Sequence, residues 1–193
     1  MGDSPSDAEL IRASLTDPDR FAEVFNRHYE TIRRFAQRRL GMDVGEELAA
    51  QTFESAFRSR GRFDDRYRSA RPWLFGIATN LINNERRAER TRLRALGRTP
   101  VEPHVSASPF DAVDARFDAS RLAGPLGLAL AELDPRERDV VLLMAWGELD
   151  YAEIGIALGI PIGTFRSRMH RARRRLRELV PALVPIEEWD DDA

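Results

Sequence analysis

Residues 166–177 contain seven arginines and no acid. At a helical step of ~100° per residue, Arg166, Ser167, His170, Arg171 and Arg174 fall on one side. Phe165, Met169, Ala172, Leu176 and Leu179 step by four, three, four and three, and fall on the other. A helix of this kind buries its apolar stripe and offers the polar one to a DNA major groove. There a guanidinium pairs with guanine, and Ser or His meets other base edges. Arg168, Arg173, Arg175 and Arg177 suit backbone phosphates. A helix dipole favours cations at its carboxy end, which accounts for Arg173 to Arg177. It does not account for Arg166 and Arg168, which stand in the first turn, where the dipole favours acids.

A second constellation lies at residues 71–87, RPWLFGIATNLINNERR. Leu74, Ile77, Ala78 and Leu81 make an apolar stripe. Beside it, Trp73, Asn80, Asn84 and Arg87 lie within about 60° of one another on the same helix. Amides read base edges, and an aromatic or guanidinium plane stacks on an unpaired base. Upstream, Arg62-Phe63-Asp64-Asp65-Arg66-Tyr67-Arg68 is a loop rich in Arg and aromatics, of the composition a single-strand pocket uses.

Other chemistry finds little footing. There is no cysteine, which removes disulfides, thiol catalysis and thiolate metal sites. His28, His104 and His170 are dispersed in the sequence, so neither a metal site nor another cofactor is expected. No Gly-rich phosphate loop, nucleophile elbow or supported carboxylate pair is present, so the chain reads as non-enzymatic. No apolar run reaches the ~18 residues of a membrane span, and no signal segment opens the chain. A cytoplasmic protein without membrane insertion is expected, associated with the nucleoid if it binds DNA.

The elements that position these residues are helical. Phe21, Val24, Phe25, Ile32, Phe35, Ala36 and Leu40 recur at helical spacing, as do Leu48, Ala49, Thr52, Phe53, Ala56 and Phe57 after the breakers Gly41 and Gly45. Asp134-Pro135-Arg136-Glu137 has the order N-cap, proline at N1, then acid. Asp150-Tyr151-Ala152-Glu153 has capping-box spacing. Gly159-Ile160-Pro161 then turns into a helix expected from Ile162 to Leu179, which makes a helix-turn-helix. The stretch from about 96 to 121 contains Pro100, Pro103 and Pro109 and reads as a flexible linker. The expectation is an all-α chain of two small helical domains, 8–95 and 122–180, followed by an acidic tail at 181–193.

The 193 residues sum to a net charge of −2, and all thirty basic residues are arginine. The missing lysine reads best as GC-rich codon usage, the other reading being use of the guanidinium fork for phosphates and base edges. The near-neutral total hides segregation: residues 58–98 sum to +8 and 166–177 to +7, against −4, −7 and −6 for residues 1–57, 99–165 and 178–193. The two basic blocks coincide with the two constellations, as two separate polyanion contacts on an acidic background would.

Both constellations resemble one family, the bacterial RNA polymerase sigma factors of the sigma-70 class, extracytoplasmic-function (ECF, group four) type. Trp73-Leu74-Phe75 through Ile77-Ala78 to Asn80 resembles the promoter −10 region. Leu133 to Arg138, Tyr151 to Ile154, Leu158 to Pro161, Gly163-Thr164 and Arg166 to Arg173 resemble the −35 region. The resemblance implies a region 2 bundle that melts and captures a single-stranded −10 element with Asn80, Asn84, Arg87, Trp73, Phe63 and Tyr67. It implies a region 4 helix-turn-helix that reads a duplex −35 element with Thr164, Arg166, Ser167, Arg168, His170, Arg171, Arg173 and Arg174. The helix bearing Glu46, Glu47, Leu48, Gln51, Phe53 and Phe57 resembles the surface that grips the clamp helices of core RNA polymerase, with region 4 meeting its flap. An anti-sigma factor is a further expected partner, and a small-molecule substrate is not. A basic residue is common in the family where Gly76 stands, an acid where Asn84 stands and a glutamine where Ala50 stands. The alternative reading is a helix-turn-helix regulator that acts without polymerase; the Trp73-to-Asn80 block separates the two, since a repressor has no use for a single-strand pocket.

Overall fold

A computed structural model describes residues 4–95 and 125–180, and these are helical, with no strand among them. The expected linker and acidic tail, and residues 122–124, lie outside the described residues. The amino-terminal part comprises α1 (Asp7–Ala13), α2 (Phe21–Leu40), α3 (Met42–Ser59) and α4 (Arg71–Ala95), with single 3-10 turns before α2 and after α3. The carboxy-terminal part comprises α5 (Pro125–Ala131), α6 (Pro135–Trp146), α7 (Tyr151–Leu158) and α8 (Ile162–Leu179).

Helices α2 and α3 form an antiparallel hairpin around Gly41, whose φ of 91° is open to glycine and strained for other residues. Gly45 was expected to break the helix with Gly41; instead it lies inside α3. A Cβ there would stand 2.5 Å from the Cα of Gln37, so glycine at this position lets the two helix backbones touch. The hairpin closes on aromatic pairs: Phe21 against Phe57 at 5.4 Å and Phe25 against Phe53 at 4.9 Å between ring centroids. Such edge-on pairs add to the apolar area they bury. Phe25, expected in the buried stripe, keeps 37% of its surface exposed. Helix α4 packs across the hairpin through Leu74, Phe75, Ala78 and Ile82, all fully buried, with Phe35 and Phe75 rings edge-on at 5.0 Å. Ile77 and Leu81 are only half-buried.

One residue ties three helices at the amino end. Asp7 accepts hydrogen bonds from the Ala70 amide just before α4 (2.8 Å), from Arg27 (3.2 Å) and from His28 Nε2 (2.7 Å) on α2. Burial pushes its carboxyl up, but His28, the Ala70 amide and Arg27 together pull it below the ordinary value of 3.8.

The carboxy-terminal helices follow their caps. The Asp134 side chain accepts from the Arg136 amide, with Pro135 opening α6. Asp150 and Glu153 form the reciprocal capping box of α7, and Gly159 ends α7 in the left-handed region at φ 62°. Arg138 is buried and donates to the carbonyls of Leu130 (2.8 Å), Ala131 (2.6 Å) and Leu133 (3.0 Å), satisfying the carboxy end of α5.

The two helical domains do not sit apart. Val140, Leu143, Leu149, Ile154, Phe165 and Met169 belong to the same buried cluster as the core of α2, α3 and α4. Arg39 of α2 and Asp139 of α6 pair across the junction at 2.8 Å, with side chains 0% and 8% exposed. Asn83 of α4 donates to the other oxygen of Asp139 at 2.9 Å. Arg71 donates to the Gly147 carbonyl at 2.7 Å, and the Arg38 guanidinium lies over the Trp146 ring at 5.5 Å.

Candidate nucleic-acid interfaces

Helix α8 divides as its sequence requires. Phe165, Met169 and Ala172 are buried, and Leu176 and Leu179 are half-buried. Tyr151 of α7 packs on Phe165 with ring centroids 5.1 Å apart, which fixes α8 against the helix before it. Arg166, Ser167, His170, Arg171 and Arg174 all project from the exposed side. Ser167 donates its hydroxyl to the Thr164 carbonyl at 3.0 Å, leaving its oxygen available as an acceptor. Thr164 and Arg173 are half-buried. Arg171 is held by Glu137 of α6 at 2.7 Å, a partner 34 positions earlier that the helical periodicity could not indicate. This pair orients the guanidinium before any ligand arrives. Arg168 lies away from the other α8 arginines, in a crevice that it shares with Asn80, Asn83, Arg136 and Asp139.

The second constellation sits on α4 and the loop before it. Asn80, Asn84 and Arg87 are exposed along one edge, and Arg87 donates to Asn84 at 3.4 Å. Trp73 is half-buried and meets Phe63 with ring centroids 5.2 Å apart. Tyr67 stands exposed in the connecting loop. The structure therefore brings Trp73 and Phe63 into one aromatic pair on the strip of α4 that carries the amides, and Tyr67 is not part of that pair. Asp64 and Arg66 pair within the same loop, and this holds the Asp64 carboxyl below its usual range. Unstacked bases fit such a surface by stacking and edge contacts.

On α3, Glu46, Glu47 and Gln51 are exposed and Phe57 is half-buried. Leu48 and Phe53, at 4% each, belong to the core. These two support the helix from beneath and do not lie on its outer surface. Glu46 is fixed by Tyr29 (2.8 Å) and Gln37 (3.0 Å) of α2, and Gln51 donates to Glu47 at 3.1 Å. Phe25 and Tyr29, stacked at 4.6 Å, extend this surface onto α2. Sequence periodicity placed Phe25 in the core and so missed it.

No group of three or more His, Cys, Asp or Glu among the described residues is arranged to hold a metal ion. Among those residues no helix is long and apolar enough to cross a membrane.

Comparison with known proteins covers both constellations. Residues 24–92 match sigma-70 region 2, and residues 124–176 match sigma-70 region 4. The chain is 34% identical over 166 residues to the RNA polymerase sigma factor CarQ of Myxococcus xanthus, covering 86% of this chain and 91% of that one. It is 32% identical over 177 residues to the ECF RNA polymerase sigma factor SigL of Mycobacterium tuberculosis, covering 91% and 92%. Against the ECF sigma factor SigE of Mycolicibacterium smegmatis it is 36% identical over 163 residues, covering 81% of this chain and 60% of the longer relative. The fold is also that of CnrH solved with the cytosolic domain of CnrY (TM-score 0.62, 20% identity, 92% and 99% covered). It matches RpoE solved with the anti-sigma factor NepR from Bartonella quintana as well (TM-score 0.62, 22% identity, 85% and 98% covered). With region 2 and region 4 in order and ECF relatives matched over most of its length, the chain belongs to the sigma-70 family of RNA polymerase sigma factors, ECF type.

Proposed function

We propose that the chain is the promoter-directing subunit of an RNA polymerase holoenzyme. It places core polymerase at specific promoters and helps melt the −10 element; it is not itself an enzyme. The observation that carries this is the pairing of two unlike nucleic-acid surfaces on one chain. The exposed face of α8 suits a duplex groove, and the amide edge of α4 with its Phe63–Trp73 pair suits an unpaired strand. A subunit that opens DNA has use for both.

Within that function, Arg166, Ser167, His170 and Arg171 read −35 bases, while Arg174, Thr164, Arg168 and Arg173 help hold the backbone. Asn80, Asn84 and Arg87 meet the −10 strand, with Phe63, Trp73 and Tyr67 as stacking platforms. Glu46, Glu47, Gln51 and Phe57 offer the surface for the clamp helices, with Leu48 and Phe53 stiffening it. Domains at 8–95 and 122–180, joined by a linker at 96–121, divide these tasks. The relatives solved with CnrY and with an anti-sigma factor support a protein inhibitor as a further partner. The site of action is the nucleoid in the cytoplasm.

Runoff transcription with purified core polymerase on a genomic fragment library is the test. Added protein should yield discrete start sites that share a −35 and a −10 sequence. Promoter-independent transcripts only, or tight duplex binding without polymerase, would overturn the proposal.

A further inference from the structure

A groove of about 810 Å³ runs along α8. Its floor is apolar, formed by Tyr151 of α7 with Phe165 and Met169 of α8. Its rim is basic. Arg166, His170, Arg173 and Arg177 line it, and they step by four, three and four, so they form one row along the helix. The row is ~17 Å long at ~1.5 Å per residue. Phosphates and base edges engage such a rim. The floor suits something else, an apolar group set between negative charges.

The chain itself carries a segment of that description. Residues 181–193 contain Glu187-Glu188-Trp189-Asp190-Asp191-Asp192, five acids around one indole, and no basic residue. Extended at ~3.3 Å per residue, the stretch from Glu187 to Asp192 is ~17 Å long, which matches the row. Its point of departure is fixed. Val180 is 8% exposed, its amide donates to the Leu176 carbonyl at 2.9 Å, and its backbone has left the helix at φ −139° and ψ 69°. Pro181 has no amide hydrogen with which to continue α8. From Val180, Glu187 has a reach of at most ~25 Å, while Arg177 lies only ~5 Å back along the helix. A chain that turns back after Val180 runs antiparallel to α8 and meets the row one cation after another.

We propose that residues 187–192 dock in this groove, with Trp189 on the floor and the acids along the row, and that they compete there with duplex DNA. The competition rests on the reading of α8 as the duplex reader. Charge selects this occupant: residues 166–177 sum to +7 and residues 178–193 to −6. The tether selects it again, because a segment joined to its site by a short connection meets it at an effective concentration in the ~millimolar range. An acidic segment on another protein lacks that advantage. Exposed ion pairs are weak singly and fade with salt. The indole adds apolar burial and a face for a guanidinium. The contact therefore keeps stray duplex off α8 and yields to a promoter that polymerase holds in place.

The chain lacks cysteine, so Ala193→Cys gives one attachment point for a nitroxide. In the full chain labelled with nitrogen-15, the nitroxide should broaden the amide signals of Arg166, His170 and Arg173. Trp189→Ala, and independently Asn at positions 190, 191 and 192 together, should relieve that broadening. No broadening in the parent chain, or broadening unchanged in both variants, would overturn the docking. Nitroxide-bearing chain mixed with nitrogen-15 chain that lacks the label should leave these signals sharp. Broadening there would assign the groove to a second copy and overturn the intrachain contact. The variant with Asn at 190, 191 and 192 should also bind a mixed-sequence 20-base-pair duplex about tenfold tighter than wild type, the size expected if the segment covers the groove roughly nine-tenths of the time. Asn at the exposed positions Asp17, Asp19 and Asp43 removes the same charge from the other domain and should tighten binding far less. Equal tightening by the two triple variants would overturn the competition. The nitroxide readout needs no DNA, so relief of broadening with duplex affinity unmoved would strike the reading of α8 as the duplex reader and leave the docking standing.

Discussion

The two proposed nucleic-acid surfaces are built in opposite ways. In region 4, α8 rests on the buried side chains of Phe165, Met169 and Ala172, with Leu176 and Leu179 half-buried beside them, and presents its opposite face outward. In region 2, α4 is gripped by the α2–α3 hairpin on one side and by region 4 on another, leaving a narrow edge of Asn80, Asn84 and Arg87. On the proposed function, the difference follows from the targets. A major groove about 12 Å wide must be entered by a protruding helix. An unpaired base must be drawn to a recess where aromatic faces and amides wait. The protruding reader needs few supports, and the recessed one needs many. Damage to supporting residues should therefore spread further in region 2.

The largest test of that contrast is in the core. Phe75→Ala removes a fully buried ring packed on Phe35 and should cost about 3–5 kcal/mol. Urea titration should show the midpoint falling, with the −10 edge lost together with the hairpin. Phe165→Ala should cost a similar amount, but its damage should centre on α7 and α8. Equal loss of protection throughout the chain in both variants, read by amide hydrogen exchange, would mean that the two surfaces share one support.

A smaller effect separates the regions by pH. Asp7 is held below its ordinary value of 3.8 by His28, the Ala70 amide and Arg27, against its own burial. A depressed carboxylate contributes stability that is fully present above the unfolded value and is lost as pH falls through the lower folded value. Region 2 should therefore lose stability on acidification below about pH 4. Asp7→Asn should flatten that limb and lower stability at neutral pH by about 1–3 kcal/mol. Thermal melts between pH 3 and pH 7 would show it, and an unchanged acid limb would remove Asp7 as the cause.

The same contrast explains what could be read from the sequence. Region 4 announces itself through local signals: Asp134-Pro135, the Asp150/Glu153 box, Gly159, and the alternation of faces on α8. Each acts within a few residues, so spacing alone locates it. Region 2 depends on partners far apart. Asp7 meets Ala70 across 63 positions, and Arg39 meets Asp139 across 100. Gly45 looks like a breaker until the hairpin shows that it is a point of helix contact. Phe25 has the right period for burial, and Leu48 and Phe53 sit in a motif that favours contact. Only the crossing of α2 and α3 decides which of them faces outward. The acidity of region 4 gave no hint that Asp139 is spent on Arg39 and Asn83.

Next in size is the cap that starts α7. Asp150→Ala removes the acceptor for the Glu153 amide and half of the box, at about 1 kcal/mol. α7 carries both Tyr151, which seats α8, and Ala157, which meets Gly76. A modest loss should therefore appear as weaker binding to a −35 duplex as well as a lower melting temperature. A fall in melting temperature with unchanged duplex affinity would show that α8 keeps its place without α7.

A last pair of variants tests whether two arginines one turn apart on α8 do different work. Arg171 is tied to Glu137 of α6 at 2.7 Å, whereas Arg175 pairs with Glu178 at 3.1 Å further along the helix. Arg171→Ala should cost about 1–3 kcal/mol on the preferred −35 sequence and relax the preference at one base pair. Arg175→Ala should weaken all sequences evenly and by less, because Glu178 already neutralises part of its charge. It should also lower the slope of log affinity against log salt by at most about 1, the value for a full phosphate contact. Affinities over a panel of single-base variants at several salt concentrations separate the two. If Arg175→Ala changes the base preference and Arg171→Ala does not, the reading face is turned towards the carboxy end of the helix, and Glu137 then serves α6 instead of holding a reader in place.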